Sequence, residues 1–256
     1  VSVDSWQRVR LTINGGAARV AMIALSPVDL PEPFPVSRKR HGMPGGESAL
    51  AVEISRRSRT EHAAWFAGFN GSGLIDLIAE DLGADAAATA LACDRAYLFE
   101  GELDDALDLG HIQAAWALAI CACDNGAVIV VDVYAGRAWA AADVLALDPQ
   151  RDFDFMREVT ILADELGPET VVVFTRGLIK VGRPDLVAFD VPSSEAARAA
   201  HLLRDLGGSL AQGDVIDPGD AIELDDGLSL TVSEPSPAVI ERLGLDQPAL
   251  VLSGWK

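Results

Sequence analysis

The chain has 256 residues, half of them hydrophobic, with 20 Lys/Arg against 39 Asp/Glu and a formal net charge of −19. That length and apolar content can build a substantial core and exclude a globally disordered chain. The charge disfavours nucleic acid and anionic membrane as principal partners. No apolar run approaches the roughly 18 residues of a membrane span, and no basic-then-apolar leader opens the chain, so a cytoplasmic protein without membrane attachment is expected.

Trp6 to Ile13 alternates as a strand does, Asn14-Gly15-Gly16 is a turn signal, and Arg19 to Leu25 resumes as a second strand, which predicts a hairpin. Residues 26–47 carry five prolines and three glycines and read as a long loop. Leu50 to Ile54 reads as a third strand. A short helix is expected over Ala63 to Phe66, broken by Gly68 to Gly73. An alanine-rich helical region follows from Leu74 to Cys93, interrupted at Gly83. Ala96 to Phe99 is a short strand. Asp108 to Cys123 reads as a helix with Ile112, Trp116 and Ala119 on one face, stopped at Asn125-Gly126.

Ala127 to Tyr134 is the clearest strand, and its near-continuous Val/Ile content predicts a central strand buried on both faces. Phe153 to Leu166 reads as a helix ending at Gly167-Pro168, followed by strands over Val171 to Phe174 and Leu186 to Val191. Ser193 precedes a helix over Glu195 to Leu206 that stops at Gly207-Gly208. Short strands complete the chain, with turns at Pro218-Gly219 and Asp226-Gly227 and a last strand near Ala249 to Ser253. Helices and strands alternate without a sustained parallel cadence. The expected class is therefore α+β, with mixed or antiparallel sheet and packed helices. Two α+β lobes, 1–105 and 106–256, or one continuous domain fit this pattern.

The chemistry is sparse. Cys93, Cys121 and Cys123 have no framework spacing and read as reduced core thiols. His41, His62, His111 and His201 form no metal-ligand pattern, so no metal is expected. Gly71-Ser72-Gly73 lacks the lysine and spacing of a phosphate loop and reads as a joint between helices, and no cofactor motif appears elsewhere. Residues 1–60 hold nine Lys/Arg against five Asp/Glu, concentrated in Arg38-Lys39-Arg40 and in Arg56, Arg57 and Arg59. This is either a basic face for an acidic partner or an intramolecular and solvated one. The acidic group Asp214, Asp217, Asp220, Glu223, Asp225 and Asp226 does not match a calcium loop and reads as solvated turns.

The most informative stretch is 171–186, where a Val-rich strand runs into Arg176, Lys180 and Arg183, set among Gly177, Gly182 and Pro184. It reads in two ways. Either the cations grip a ligand carboxylate or phosphate, or the segment is a structural hairpin whose corner is locked by an Arg183–Asp185 ion pair. Asp132 interrupts a buried strand, where an unpaired carboxylate is costly. It serves as a base or binds a cation, or it pairs with Arg137 or with an arginine of 176–183 and only orders the sheet. His111, at a helix start, is disfavoured in its protonated form by the helix dipole and is a second candidate for proton work.

The pattern Thr-Arg-Gly-x-x-Lys-x-Gly-Arg-Pro-Asp at 175–185 resembles a signature recurring in uncharacterised bacterial families of unknown function. Those families carry an apolar helix and a Val-rich strand upstream, as at 110–134, and a β-rich tail with an Asp-Gly turn, as at 214–232. The resemblance covers about the C-terminal two-thirds of the chain. It implies a fold and an accessory or immunity-type role for some members, and it carries no catalytic residues with it.

Two functions from different classes follow. The first is a non-catalytic protein that acts by contact with a protein partner or with a second copy of itself. The second is an enzyme of a small molecule or phosphate ligand, with Arg176, Lys180 and Arg183 holding an anion and Asp132 or His111 moving a proton. The enzyme requires these residues to converge on a concave pocket.

Overall fold

A computed structural model describes residues 4–9, 16–104, 106–224, 227–243 and 247–255. The chain divides into two compact units, one from Val1–Gln7, Arg19–Leu103 and Leu107–Phe153, the other from Arg8–Ala18, Asp104–Ala106 and Asp154–Lys256. The last of these boundaries falls at 153/154, and the helix and hairpin that follow residue 107 belong with the first sheet.

The first unit contains β1 (Ala18–Ser26), α1 (Arg38–His41), α2 (Glu47–Leu50), β2 (Glu53–Ser58), α3 (Ala63–Gly71), α4 (Leu74–Leu82), α5 (Ala84–Ala92), β3 (Arg95–Leu103), α6 (Gly110–Asp124), β4 (Ile129–Asp132), β5 (Arg137–Ala140) and α7 (Ala141–Leu145). Its five strands lie in the order β2-β3-β1-β4-β5. The expected first hairpin falls on residues 10–15, outside the described residues; β1 has β3 and β4 as its neighbours, and Gln7 bridges to Asp108.

Strand alternation sorts the sheet's side chains between two faces. Ile23, Leu25, Leu98, Ile129 and Val131 share one face, covered by Phe66, Phe69, Ile78, Ala87 and Ala90 of α3, α4 and α5. The glycine break expected at 68–73 comes later, since α3 runs through Gly68 to Gly71; the interruption at Gly83 is where it was expected. α6 is apolar all round and buried along nearly its whole length, as such a helix must be, and it packs against β3, α1, α2 and α7. β4 is buried at every residue between β1 and β5, as its composition predicted. The third strand starts at Glu53 rather than Leu50, and its run of arginines suits an edge strand, where charge blocks further pairing.

The second unit contains α8 (Phe155–Glu158), β6 (Thr160–Glu165), β7 (Thr170–Arg176), β8 (Asp185–Pro192), α9 (Ala196–Ala211), β9 (Ala221–Glu223), β10 (Ser229–Ser233), α10 (Pro237–Leu243) and β11 (Ala249–Ser253). The strand order is β6-β7-β8-β11-β10-β9, antiparallel except for the parallel pair β8 and β11. Val172, Phe174, Val187 and Val251 pack with Val239 and Leu243 of α10, while α9 packs against β6, β7 and β8. Both units are α+β with packed helices on antiparallel or mixed sheet.

Two expectations are corrected in this unit. The helix expected from Phe153 to Leu166 ends at Glu158, and β6 then pairs along its whole length with β7. The β-branched Val159, Thr160 and Ile161 favour that pairing over continuation of the helix. α9 does not stop at Gly207-Gly208 but runs to Ala211. Gly207 is there because α9 passes over the ring of Phe155, which lies 2.6 Å from where a Cβ would sit. α10 was not foreseen, although Ser236-Pro237 supplies an N-cap hydroxyl and a proline at the first helical position.

Candidate functional site

The segment 176–185 is a hairpin connection. β7 leads through Gly177 into a 3-10 turn at Leu178–Val181, closed by Gly182, and returns as β8. Gly182 (φ 67°) packs so tightly on the chain at Gly16 that a Cβ would lie 2.5 Å from the Gly16 carbonyl oxygen, and Gly16 N–H donates to the Gly182 carbonyl at 3.0 Å.

The three cations have different surroundings. The Lys180 ammonium is fully buried and lies 2.7 Å from Glu158 Oε2. The other oxygen of Glu158 accepts from Arg157 Nε at 2.9 Å. Arg183 is buried and donates to the carbonyls of Asp214 (2.8 Å), Gly182 (3.0 Å) and Gly213 (3.1 Å). It thereby ties the hairpin to the chain leaving α9. Arg176 is exposed, with its guanidinium 5.8 Å from the centroid of the Phe174 ring, and has no ion pair among the described residues.

The expected Arg183–Asp185 ion pair is replaced by another arrangement. Asp185 accepts from the Thr175 hydroxyl at 2.8 Å and from Leu178 N–H at 3.1 Å. The Thr175 oxygen in turn accepts from Leu186 N–H at 2.8 Å. Burial pushes the Asp185 carboxyl up to about 6, against the opposing pull of these donors and of the Arg176 charge.

Asp132 and His111 belong to the first unit. Asp132 is buried at the end of β4, opposite Arg137 in register, and accepts Ala135 N–H at 3.1 Å, which shapes the β4–β5 turn. Arg137 lies over Trp139, 5.0 Å from its centroid. His111 is buried in the first turn of α6. Beside it, Asp108 accepts the Ser48 hydroxyl, the Ser5 hydroxyl at 2.8 Å and Gly110 N–H at 2.9 Å. Burial raises the Asp108 carboxyl, but those donors and the His111 charge outweigh it and hold it below the usual carboxylate value. This cluster fixes the start of α6.

The basic excess near the N-terminus is largely internal. Arg40 pairs with Asp124 at 2.6 Å and Arg56 with Glu32 at 3.0 Å. Arg59 donates to the Leu91 and Cys93 carbonyls at the end of α5 and lies over the Phe66 ring. The acidic turn is likewise internal where it is described: the Ser209 hydroxyl donates to Asp214, and Asp217 N–H donates to Asp220 at 2.9 Å. Asp225 and Asp226 lie outside the described residues. Among the described residues, no group of three or more His, Cys, Asp or Glu could hold a metal ion, and no helix is long and apolar enough to cross a membrane.

An open feature on the first sheet involves residues that sequence reasoning passed over. The helical layer of α3 to α5 covers only part of the sheet face it packs on, and beyond α3 that face is bare among the described residues. Two adjoining hollows occupy the bare region. One, of about 430 Å³, is lined by Ile23, Leu98, Trp65, Phe69, Leu74 and Val133 among others. The second, of about 560 Å³, is lined by Arg19, Glu53, Glu100 and Glu102 among others, and shares Ala21, Glu100 and Tyr134 with the first.

Glu53 and Glu100 stand directly opposite each other in the β2–β3 register. Both are exposed, and neither has a hydrogen-bond or ion-pair partner among the described residues. Arg19, the nearby cation, is taken by Glu102 at 3.1 Å. Like charges opposite each other on a sheet are destabilising, so this pair is unusual. The face could be anticipated only from the alternation Leu98, Glu100, Glu102; the pairing of Glu100 with Glu53 depends on register across 47 residues.

No protein-family model, no curated protein and no solved structure matches this chain.

Proposed function

We propose that this is a non-catalytic protein-interaction protein of the accessory or immunity type, acting in the cytoplasm and docking a basic segment of its partner on the bare end of the first sheet. The observation that carries the reading is the open trough with Glu53 and Glu100 opposite each other on its floor, without a counter-ion among the described residues. A trough with an apolar end and an acidic end accommodates a chain segment of opposite charge. The enzyme alternative is weakened by the burial of Lys180 on Glu158 and by the three carbonyls that engage Arg183. Three buried, unbridged thiols are in keeping with a reducing compartment.

The test places a photo-crosslinking amino acid at Ser72, which is exposed and lines the trough. Irradiation in cells that express the protein naturally is expected to give one discrete adduct. That adduct should be lost on Glu53→Lys/Glu100→Lys and should not form from the same group at Asp205 of α9. No adduct, or one indifferent to both changes, overturns the reading.

A further inference from the structure

The trough has enough chemistry to specify what it would hold. Its floor is built from β2, β3, β1 and the end of β4, where Val133 N–H donates to the Ala21 carbonyl at 3.0 Å. On β3, Leu98 and Glu100 project to the same side, two residues and so about 6.7 Å apart. Leu98 belongs to the apolar hollow, where Trp65 stacks on Phe69 with centroids 5.5 Å apart and planes at 16°. Glu100 is shared by both hollows and faces Glu53. Because Arg19 is paired with Glu102, two carboxylates with no counter-ion among the described residues sit beside an aromatic-lined apolar floor.

We propose that the trough binds an extended peptide segment in which an arginine or lysine lies two residues from an apolar side chain. The cation sits between Glu53 and Glu100, and the apolar side chain sits over Leu98 against Trp65 and Phe69. This rests on the docking reading above and adds the chemistry of the partner. The spacing matches because successive same-side residues of an extended chain repeat every 6.6–6.8 Å or so, the same repeat that separates Leu98 from Glu100. The charges match because a guanidinium or ammonium is opposite in sign to the two carboxylates. A segment is favoured over a small cation because two hollows adjoin and both open to solvent.

The experiment uses the full chain and fluorescein-labelled, end-capped octapeptides of Ser and Gly carrying one Arg and one Leu, read by anisotropy. The peptide with Arg and Leu separated by one residue is expected to bind with a Kd of about 100 μM or tighter. Replacing its Arg by Gln, or separating the two by four residues, should weaken binding about fivefold or more. Glu53→Gln/Glu100→Gln should weaken the Arg peptide alike, with an unchanged circular dichroism spectrum, and added salt should weaken it further.

The assignment is overturned if no peptide binds, if the Gln peptide binds as well as the Arg peptide, or if the double variant binds normally. Tryptamine binding as tightly as the peptide would overturn it in favour of a small organic cation. If the Ser72 adduct forms and is lost on charge reversal while the peptide series fails, only this chemistry falls. If the adduct fails as well, the docking reading falls with it.

Discussion

Lys180 Nζ lies 2.7 Å from Glu158 Oε2, and neither side chain has any solvent exposure. The pair joins the 3-10 turn after β7 to the last residue of α8, and through Glu158 it also holds Arg157. Breaking a buried pair leaves a desolvated charge without its partner, which costs about 3–5 kcal/mol. Lys180→Met is therefore expected to lower unfolding free energy by about that amount in urea titration, with Glu158→Gln similar. Lys180→Met/Glu158→Leu should not recover full stability, because the hydrogen bond from Arg157 Nε to Glu158 is then lost as well. A near-neutral Lys180→Met would return Lys180 to the list of ligand-binding candidates.

Asp185 gives a pH dependence of unusual sign. Its folded-state value of about 6 lies above the ordinary 3.8, because burial disfavours the charge. Between those values the folded state binds the proton more tightly than the unfolded chain does, so this group's contribution is fully present below about pH 4 and lost as pH rises through 6. Comparison with Asp185→Asn isolates the effect from the other carboxylates. The stability of wild type relative to Asp185→Asn is expected to rise by about 2 kcal/mol between pH 7 and pH 4.5. A flat or falling difference would mean that the Thr175 and Leu178 donors outweigh burial.

The adjacent glycines of α9 should respond oppositely to alanine. A Cβ at Gly208 meets nothing within 4 Å, whereas one at Gly207 lies 2.6 Å from Phe155 Cζ. Gly208→Ala is expected to stabilise by about 0.5–1 kcal/mol, the helix-propensity difference. Gly207→Ala should be less stable than Gly208→Ala by about 1–3 kcal/mol, as overpacking costs, and Phe155→Leu should reduce that gap. Thermal and urea unfolding of the four proteins decide it.

These contrasts also show how far the sequence was legible. The α+β class, the buried strand near 127–134 and the helix break at Gly83 follow from local composition, and the structure places them where composition did. Gly207-Gly208 reads as a helix stop because propensity is local, while the reason for Gly207 is a ring 52 residues earlier in the chain. Residues 160–165 leave the helix because their β-branched start meets a ladder offered by β7, and only the first of these causes is visible locally. The cations at 176–183 signal a site by charge alone; their partners, Glu158 and the carbonyls after α9, come from distant segments. Glu53 and Glu100 give no signal until register sets them face to face.

The three cysteines should be inert in the folded protein. Burial pushes the thiols of Cys93 and Cys121 up to about 11 and that of Cys123 up to about 12, so almost no reactive thiolate exists at neutral pH. At pH 7.5, a disulfide reagent such as dithiobis-nitrobenzoate is expected to titrate none of them rapidly and all three in guanidinium. Rapid reaction of any one in the native state would show local opening around it.

The register that sets Glu53 opposite Glu100 makes a prediction about stability that is independent of any partner. Neither carboxylate has a compensating contact among the described residues, and the two are directly opposed on β2 and β3. Neutralising either one removes the repulsion, so Glu53→Gln and Glu100→Gln should each stabilise the protein by about 0.2–1 kcal/mol, the range for cross-strand pairs. The second substitution should add little once the first is made, giving a non-additive double-mutant cycle. The wild type should gain more from added salt than either variant, since exposed charges are screened. A residue pair kept for stability would show the reverse, with each substitution destabilising. Stabilisation by loss of either carboxylate, together with loss of binding, is the signature of a surface that gives up stability to hold a cation.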